Sequence, residues 1–190
     1  MHIAILLGSV REGRHSHRVA HYLQARLSAR PGVSAALLDL REYDLPVFSD
    51  RWQHQETPDP ALIKLGRELA AADAMLFISP EYHGSYTGAL KNAVDHYWKE
   101  FHRKPIGVVS TGSGRMGGIN GSIQMQQLIL SLGAYPMPLK LLVPFVREAF
   151  GPDYQPANED LAQQADRFLE EFCWFGQALS AARAAAPLRK

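Results

Sequence analysis

Two apolar runs, His2–Leu7 and residues 75–79, end alike, each stopping at a loop of glycine, hydroxylated and charged residues with a helical pattern behind it. The first loop opens Gly8-Ser9-Val10-Arg11, and the second reads Pro80-Glu81-Tyr82-His83-Gly84-Ser85. A short apolar run of this kind is consistent with a strand buried on both faces of a parallel sheet. In such sheets ligands sit outside the carboxyl ends of the strands, where the topology switches. Two strand ends with this chemistry place a ligand between them.

The same alternation runs along the chain. Strands are predicted at residues 3–7, 33–40, 74–79, 105–110 and 139–146. Between them lie helical stripes: Val19, Leu23 and Leu27; Leu62, Leu65 and Leu69, with Asp59 as N-cap and Pro60 at the first helical position. Further stripes are Leu90, Val94, Tyr97 and Phe101, then Ile119, Ile123 and Leu128, then Leu161, Ala165, Phe168, Phe172 and Phe175. This pattern predicts an α/β chain, a flavodoxin-like three-layer sandwich with a five-stranded parallel sheet in the order 2-1-3-4-5. The 190 residues suit one domain, expected over 1–180 with 181–190 as a frayed tail. Residues 41–59, which include an isolated Trp52, form a long irregular segment of the sort that is usually functional or mobile.

Composition excludes several classes. A net charge of +1 offers no electrostatic case for nucleic acid or for an anionic membrane surface. No stretch approaches the roughly 20 apolar residues of a membrane span. The first apolar run is short and lacks a basic leader, so it is expected to be a strand rather than a signal peptide. One cysteine, Cys173, excludes an internal disulfide, fits a reducing, cytoplasmic setting, and is expected to be a buried thiol beside Phe172. His15 and His17 have no further ligand at suitable spacing, so no metal is expected.

The chemistry lies in three loops. Ser9, Arg11, Gly13, Arg14, Ser16 and His17 stand just ahead of a helix, whose first N–H groups attract phosphate. Hydroxyls and an arginine add hydrogen bonds, although an ordinary turn with Ser16 as N-cap reads equally simply. The loop matches neither G-x-G-x-x-G nor G-x-x-x-x-G-K-[ST], which argues against NAD-type dinucleotide and P-loop sites. In the second loop Pro80 stiffens the strand exit, Gly84 and Gly88 allow close backbone approach, and Tyr82 offers a planar surface. The third, residues 111–118, holds four glycines with Ser113 and Arg115 as polar contacts.

These motifs, with Gly88-Ala89-Leu90-Lys91-Asn92-Ala93-Val94-Asp95 and Ser113-Gly114-Arg115-Met116-Gly117-Gly118, resemble the NADPH-dependent FMN reductase family, which includes quinone, azo-dye and chromate reductases. The resemblance implies bound FMN, with NADPH or NADH as cosubstrate. It implies that Ser9, Arg11, Ser16 and His17 hold the phosphate, and that Pro80, Glu81, Tyr82, His83 and Gly84 line the ribityl chain and ring. Ser113, Gly114 and Gly117 would complete the flavin site. The implied activity is a ping-pong, two-electron reduction of quinones, flavins, azo compounds or similar small acceptors. Flavin N5 would carry the hydride, so no catalytic side chain is assigned.

Two departures from the family pattern stand out. Arg14-His15-Ser16-His17 fills a stretch where many members carry a serine followed by an asparagine, and His83 stands where asparagine is common. A homodimer or homotetramer is also implied, with one of Tyr97 and Trp98 meeting another subunit. Trp52 would either cap a neighbour's flavin pocket or pack on its own surface. The alternative function is a flavodoxin-type electron carrier without its own NAD(P)H oxidation. Near-neutral charge and arginines in the first and third loops count against it.

Overall fold

Strand alternation sends Ile3, Ile5 and Leu7 to one face of a sheet and Ala4 and Leu6 to the other. Both faces of this first strand are apolar, so both need covering. In the computed structural model, which describes residues 1–186, the strands are β1 (His2–Leu7), β2 (Ser34–Asp39), β3 (Ala74–Pro80), β4 (Pro105–Thr111) and β5 (Tyr135–Val143). They form one parallel sheet in the order β2-β1-β3-β4-β5, as expected from the sequence. Helices α1 (Ser16–Ser28) and α6 (Glu159–Ala185) cover one face. The other is covered by α2 (Pro60–Ala71), α3 (Gly88–Asp95) and α4 (Ile119–Ser131). A single turn, α5 (Val146–Ala149), follows β5.

Register aligns the strand ends. Leu7 lies opposite both Asp39 and Ile78, Pro80 opposite Thr111, and Thr111 opposite Val143. The loops after β1, β3, β4 and β5 therefore emerge along one edge.

Several local expectations are corrected. The helix after the second loop stops at Asp95 instead of continuing through Phe101. Glu100 explains the break, because its carboxylate accepts from the Trp98 backbone N–H, the Trp52 indole and the Gln53 amide. That places tight turns where a helix would run, with Phe101, His102 and Lys104 each bonding three residues back. Tyr97 and Phe101 stay buried all the same, while Trp98 is 36% exposed under the Arg51 guanidinium. Trp52 lies on Gly66 of its own chain, where an added Cβ would meet the indole at 3.1 Å.

Helix α4 is rotated relative to the expected stripe. Ser122, Met125, Leu128 and Ile129 face inward, and Ile123 is 42% exposed. The β5 segment begins earlier than predicted, since Pro136 and Pro138 do not exclude it. This is an edge strand, and the pairing is irregular between Ile106 and Val108, opposite those prolines. Helix α6 continues to Ala185 instead of fraying from 181, and residues 187–190 of that expected tail lie outside the described residues. Among the described residues no helix is long and apolar enough to cross a membrane.

Candidate functional site

The first loop is held in place from both sides. Gly8 N–H donates to the Ile78 carbonyl at 2.8 Å, and the Thr87 hydroxyl donates to the Gly8 carbonyl at 2.6 Å. Thr87 also caps α3 by accepting from Leu90 N–H at 3.2 Å. Only glycine fits at position 8, where a Cβ would come within 2.9 Å of the Leu90 Cβ. On the other side Arg14 forms a bidentate pair with Asp39 at the end of β2 and donates to the Ser9 carbonyl. Arg14 thus serves to hold the loop's shape.

What this scaffold presents is a set of unsatisfied groups. Helix α1 starts at Ser16 behind His15, with no side-chain cap. The Ser9 and Ser16 side chains are buried, and neither Oγ has a hydrogen-bond partner. Both line a cavity of about 230 Å³ with Arg11, Tyr82, Ser113 and Arg147 among its walls. Buried hydroxyls are nearly always paired, so two orphans beside a helix N-terminus mark a place for an acceptor-rich ligand. His15 also lines this cavity. Burial first, then the Arg18 and Arg147 guanidinium groups, holds its pKa below the usual histidine value. Fixed positive charge at the cavity therefore comes from the arginines.

The second loop is shaped by Glu81 and a tight turn. Glu81 N–H donates to the Thr111 carbonyl at 2.9 Å, and its carboxylate accepts from Gly121 N–H at 3.0 Å. The N-cap position of α4 is Gly118 at φ +82°, which has no side chain to offer, so Glu81 supplies the missing acceptor from another loop. Tyr82 and Ser85 exchange backbone hydrogen bonds across His83 and Gly84, at φ +53° and +79°. Positive φ at both central positions is the hairpin geometry that favours Asn-Gly. The His83→Asn variant is expected to be more stable by about 0.5 kcal/mol, seen as a higher urea midpoint at unchanged m.

A second recess, about 220 Å³, lies under the glycine-rich third loop and shares Glu81, Gly112 and Ser113 with the first cavity. A third and larger cavity, about 900 Å³, adjoins them through Ser113 and Arg147.

Of the residues singled out in the sequence, Ser9, Arg11, Ser16, Pro80, Glu81, Tyr82 and Ser113 line the first cavity. Gly114 and Gly117 line the second recess. His83 and Gly84 form the exposed tip of the turn beside them. His17 lines neither cavity; its ring lies edge-on to Tyr154 at 6.1 Å, and His15 occupies the cavity wall instead. Arg147 was not anticipated, because the predicted fifth strand ran through residue 146 and hid the short helix α5 that carries it. Gly13, Thr111 and Gly112 were legible only as loop residues, although each lines the first cavity. Asp95 pairs with Lys91 at 2.6 Å, and Cys173 is buried with its thiol pKa pushed up by desolvation. Among the described residues no group of histidine, cysteine and carboxylate side chains is arranged to hold a metal.

The family model for NADPH-dependent FMN reductase matches residues 1–147. An NAD(P)H-dependent FMN reductase of Nectria sp is 30% identical over 169 residues, covering 83% of this chain and 81% of that protein. A quinone reductase of Pseudomonas putida is 30% identical over 143 residues, covering 72% and 74%. An NADPH azoreductase of Bacillus sp. is 25% identical over 176 residues, covering 90% and 94%. In three dimensions the chain is similar to FerB, a flavoenzyme NAD(P)H:acceptor oxidoreductase from Paracoccus denitrificans. The TM-score is 0.80 and the identity 24%, with 93% of this chain and 97% of that one covered.

Proposed function

This chain belongs to the NADPH-dependent FMN reductase family, and from that premise we propose how its own residues serve FMN and NAD(P)H. It is an FMN-dependent NAD(P)H oxidoreductase. The chemistry FMN supplies when bound is two-electron hydride transfer between NAD(P)H and an acceptor. The observation that carries the site assignment is the pair of buried, unpartnered hydroxyls of Ser9 and Ser16 at the uncapped start of α1. A phosphate satisfies both, and Arg11 and Arg147 offset its charge. The residues present therefore fit the group.

Tyr82 and the backbone of residues 80–84 would border the ribityl chain and ring, and Gly114 and Gly117, which line the neighbouring recess, would complete the site. Glu81 acts mainly by holding the second loop to α4, so the walls of the ring site keep their spacing. No side chain here is required to move a proton. The protein's work is to bind and orient. The acceptors proposed are quinones, azo compounds, flavins or similar small molecules.

We further propose a single domain, a homodimer or homotetramer, and a cytoplasmic location. Exposed Ile123 and Leu130, at 42% and 63%, leave apolar surface on α4 that suits a second subunit. A lone, buried thiol fits a reducing compartment.

The test is direct. Purified protein should bind FMN one to one, show its visible absorbance, lose that colour on anaerobic mixing with NAD(P)H, and regain it with a quinone. Colour retained after NAD(P)H would favour an electron carrier over an enzyme.

A further inference from the structure

The 900 Å³ cavity beside the flavin site is large enough for a second small molecule. Much of it is built by residues beyond the 1–147 span that matches the family model, including Glu148, Ala149, Asp160 and Leu161. Phe145, 50% exposed at the cavity wall, sits at φ +46°, a conformation seldom adopted by side chains of its kind. The strain is held by bonds to the third loop: Phe145 N–H reaches the Gly114 carbonyl at 3.4 Å, and Val146 N–H reaches that of Gly112 at 3.0 Å. A planar molecule stacked on Phe145 would thus lie beside the recess assigned to the flavin ring.

Charge narrows the occupant. Arg147 lines both this cavity and the phosphate cavity, and it is close enough to His15 to depress that imidazole's basicity. A phosphate in the first cavity engages Arg147, leaving Glu148 and Asp160 as the charges of the second. Neither carboxylate has an ion-pair or hydrogen-bond partner among the described residues. Both lie in the first turn of a helix, Asp160 in α6 and Glu148 in α5, and Glu148 also acts electrostatically on His15.

Resting on the FMN assignment above, we propose that this cavity is the electron-acceptor subsite and that it favours flat aromatic oxidants carrying positive charge. Methylene blue is a suitable probe. It takes two electrons and one proton, a hydride equivalent supplied by NAD(P)H, and yields the neutral leuco dye and NAD(P)⁺. Methyl orange, an anionic azo dye, is the comparator.

In the Glu148→Gln/Asp160→Asn variant, the kcat/KM ratio of methylene blue to methyl orange should fall about tenfold. Methylene blue should also bind the FMN-free variant about tenfold more weakly, measured by equilibrium dialysis. Phe145→Gly, which removes the ring while tolerating the positive φ, should weaken dye binding by about the same factor. An unchanged dye affinity and ratio in both variants would overturn the subsite, and normal FMN uptake in those proteins would leave the cofactor assignment standing. Carboxylate-dependent dye binding in a protein that never takes up FMN would support this cavity as a cation site and sink the flavin reading instead.

Discussion

Replacing Ser9 and Ser16 together by alanine is expected to raise the FMN dissociation constant about 100-fold while leaving the apoprotein as stable as before, or slightly more so. Each hydroxyl would bond a charged phosphate, a contact worth about 1.5–3 kcal/mol, and at the low end of that range losing two removes about 3 kcal/mol, roughly two orders of magnitude in affinity. Stability should move the other way. In the free protein both oxygens are buried without partners, and deleting an unsatisfied buried polar group relieves its desolvation cost. Titration calorimetry with FMN and thermal unfolding of the apoprotein give the two readouts. Arg11 is exposed, so Arg11→Ala alone should weaken binding by only several-fold, within the roughly 1 kcal/mol typical of an exposed ion contact. An undiminished FMN affinity in the double-serine variant would remove the phosphate from the first loop.

Asp39→Ala is expected to be the most damaging single substitution in the site, destabilising the fold by about 3–5 kcal/mol. The side chains of Arg14 and Asp39 are 11% and 9% exposed. Removing the carboxylate leaves a guanidinium buried without its counter-ion and takes the acceptor from Arg41 N–H. The damage should spread to function, because Arg14 also holds the Ser9 carbonyl and with it the first loop. A variant carrying Arg14→Met and Asp39→Leu should recover most of the stability, since two apolar groups bury at little cost. Its FMN affinity should remain low, because nothing then fixes Ser9. Urea melts of the single and double variants separate these terms. A loss below about 1 kcal/mol for Asp39→Ala would show that the pair is solvated and does not organise the loop.

The architecture was legible because its signals are local. The runs at residues 3–7, 74–79 and 105–110 are apolar without alternation, which marks strands buried on both faces. Asp59-Pro60 marked the start of α2 in the same local way, and Asp59 does accept from Ala61 N–H at 2.7 Å. Errors came where distant contacts overrode periodicity. The stripe Leu90, Val94, Tyr97, Phe101 is helical in spacing and buried throughout, yet Glu100 diverts the chain after Asp95. Similarly, Ile123 matched the apolar period of α4, but small residues at Gly121 and Ser122 bring a different face against the sheet.

Within the candidate site, residue type pointed to loops that the fold brings to one edge, without distinguishing the tasks inside them. Ser9 and Ser16 face the cavity, whereas Arg14, equally plausible as a phosphate ligand, spends its charge on Asp39 twenty-five residues away. Glu81 reads as a ligand contact and lines the cavity, but its carboxylate also caps a helix forty residues on.

Strand order, layering and the edge that carries the chemistry were thus set by the chain itself, through side-chain periods of two and 3.6 and the glycine and proline positions that end each element. Tertiary packing alone decided which polar groups are left facing the cavity and which hold the loops together. The reason is the short range of the hydrogen bond. A hydroxyl or carboxylate takes its role from whichever donor or acceptor lies about 3 Å away, and elements remote in sequence supply that neighbour.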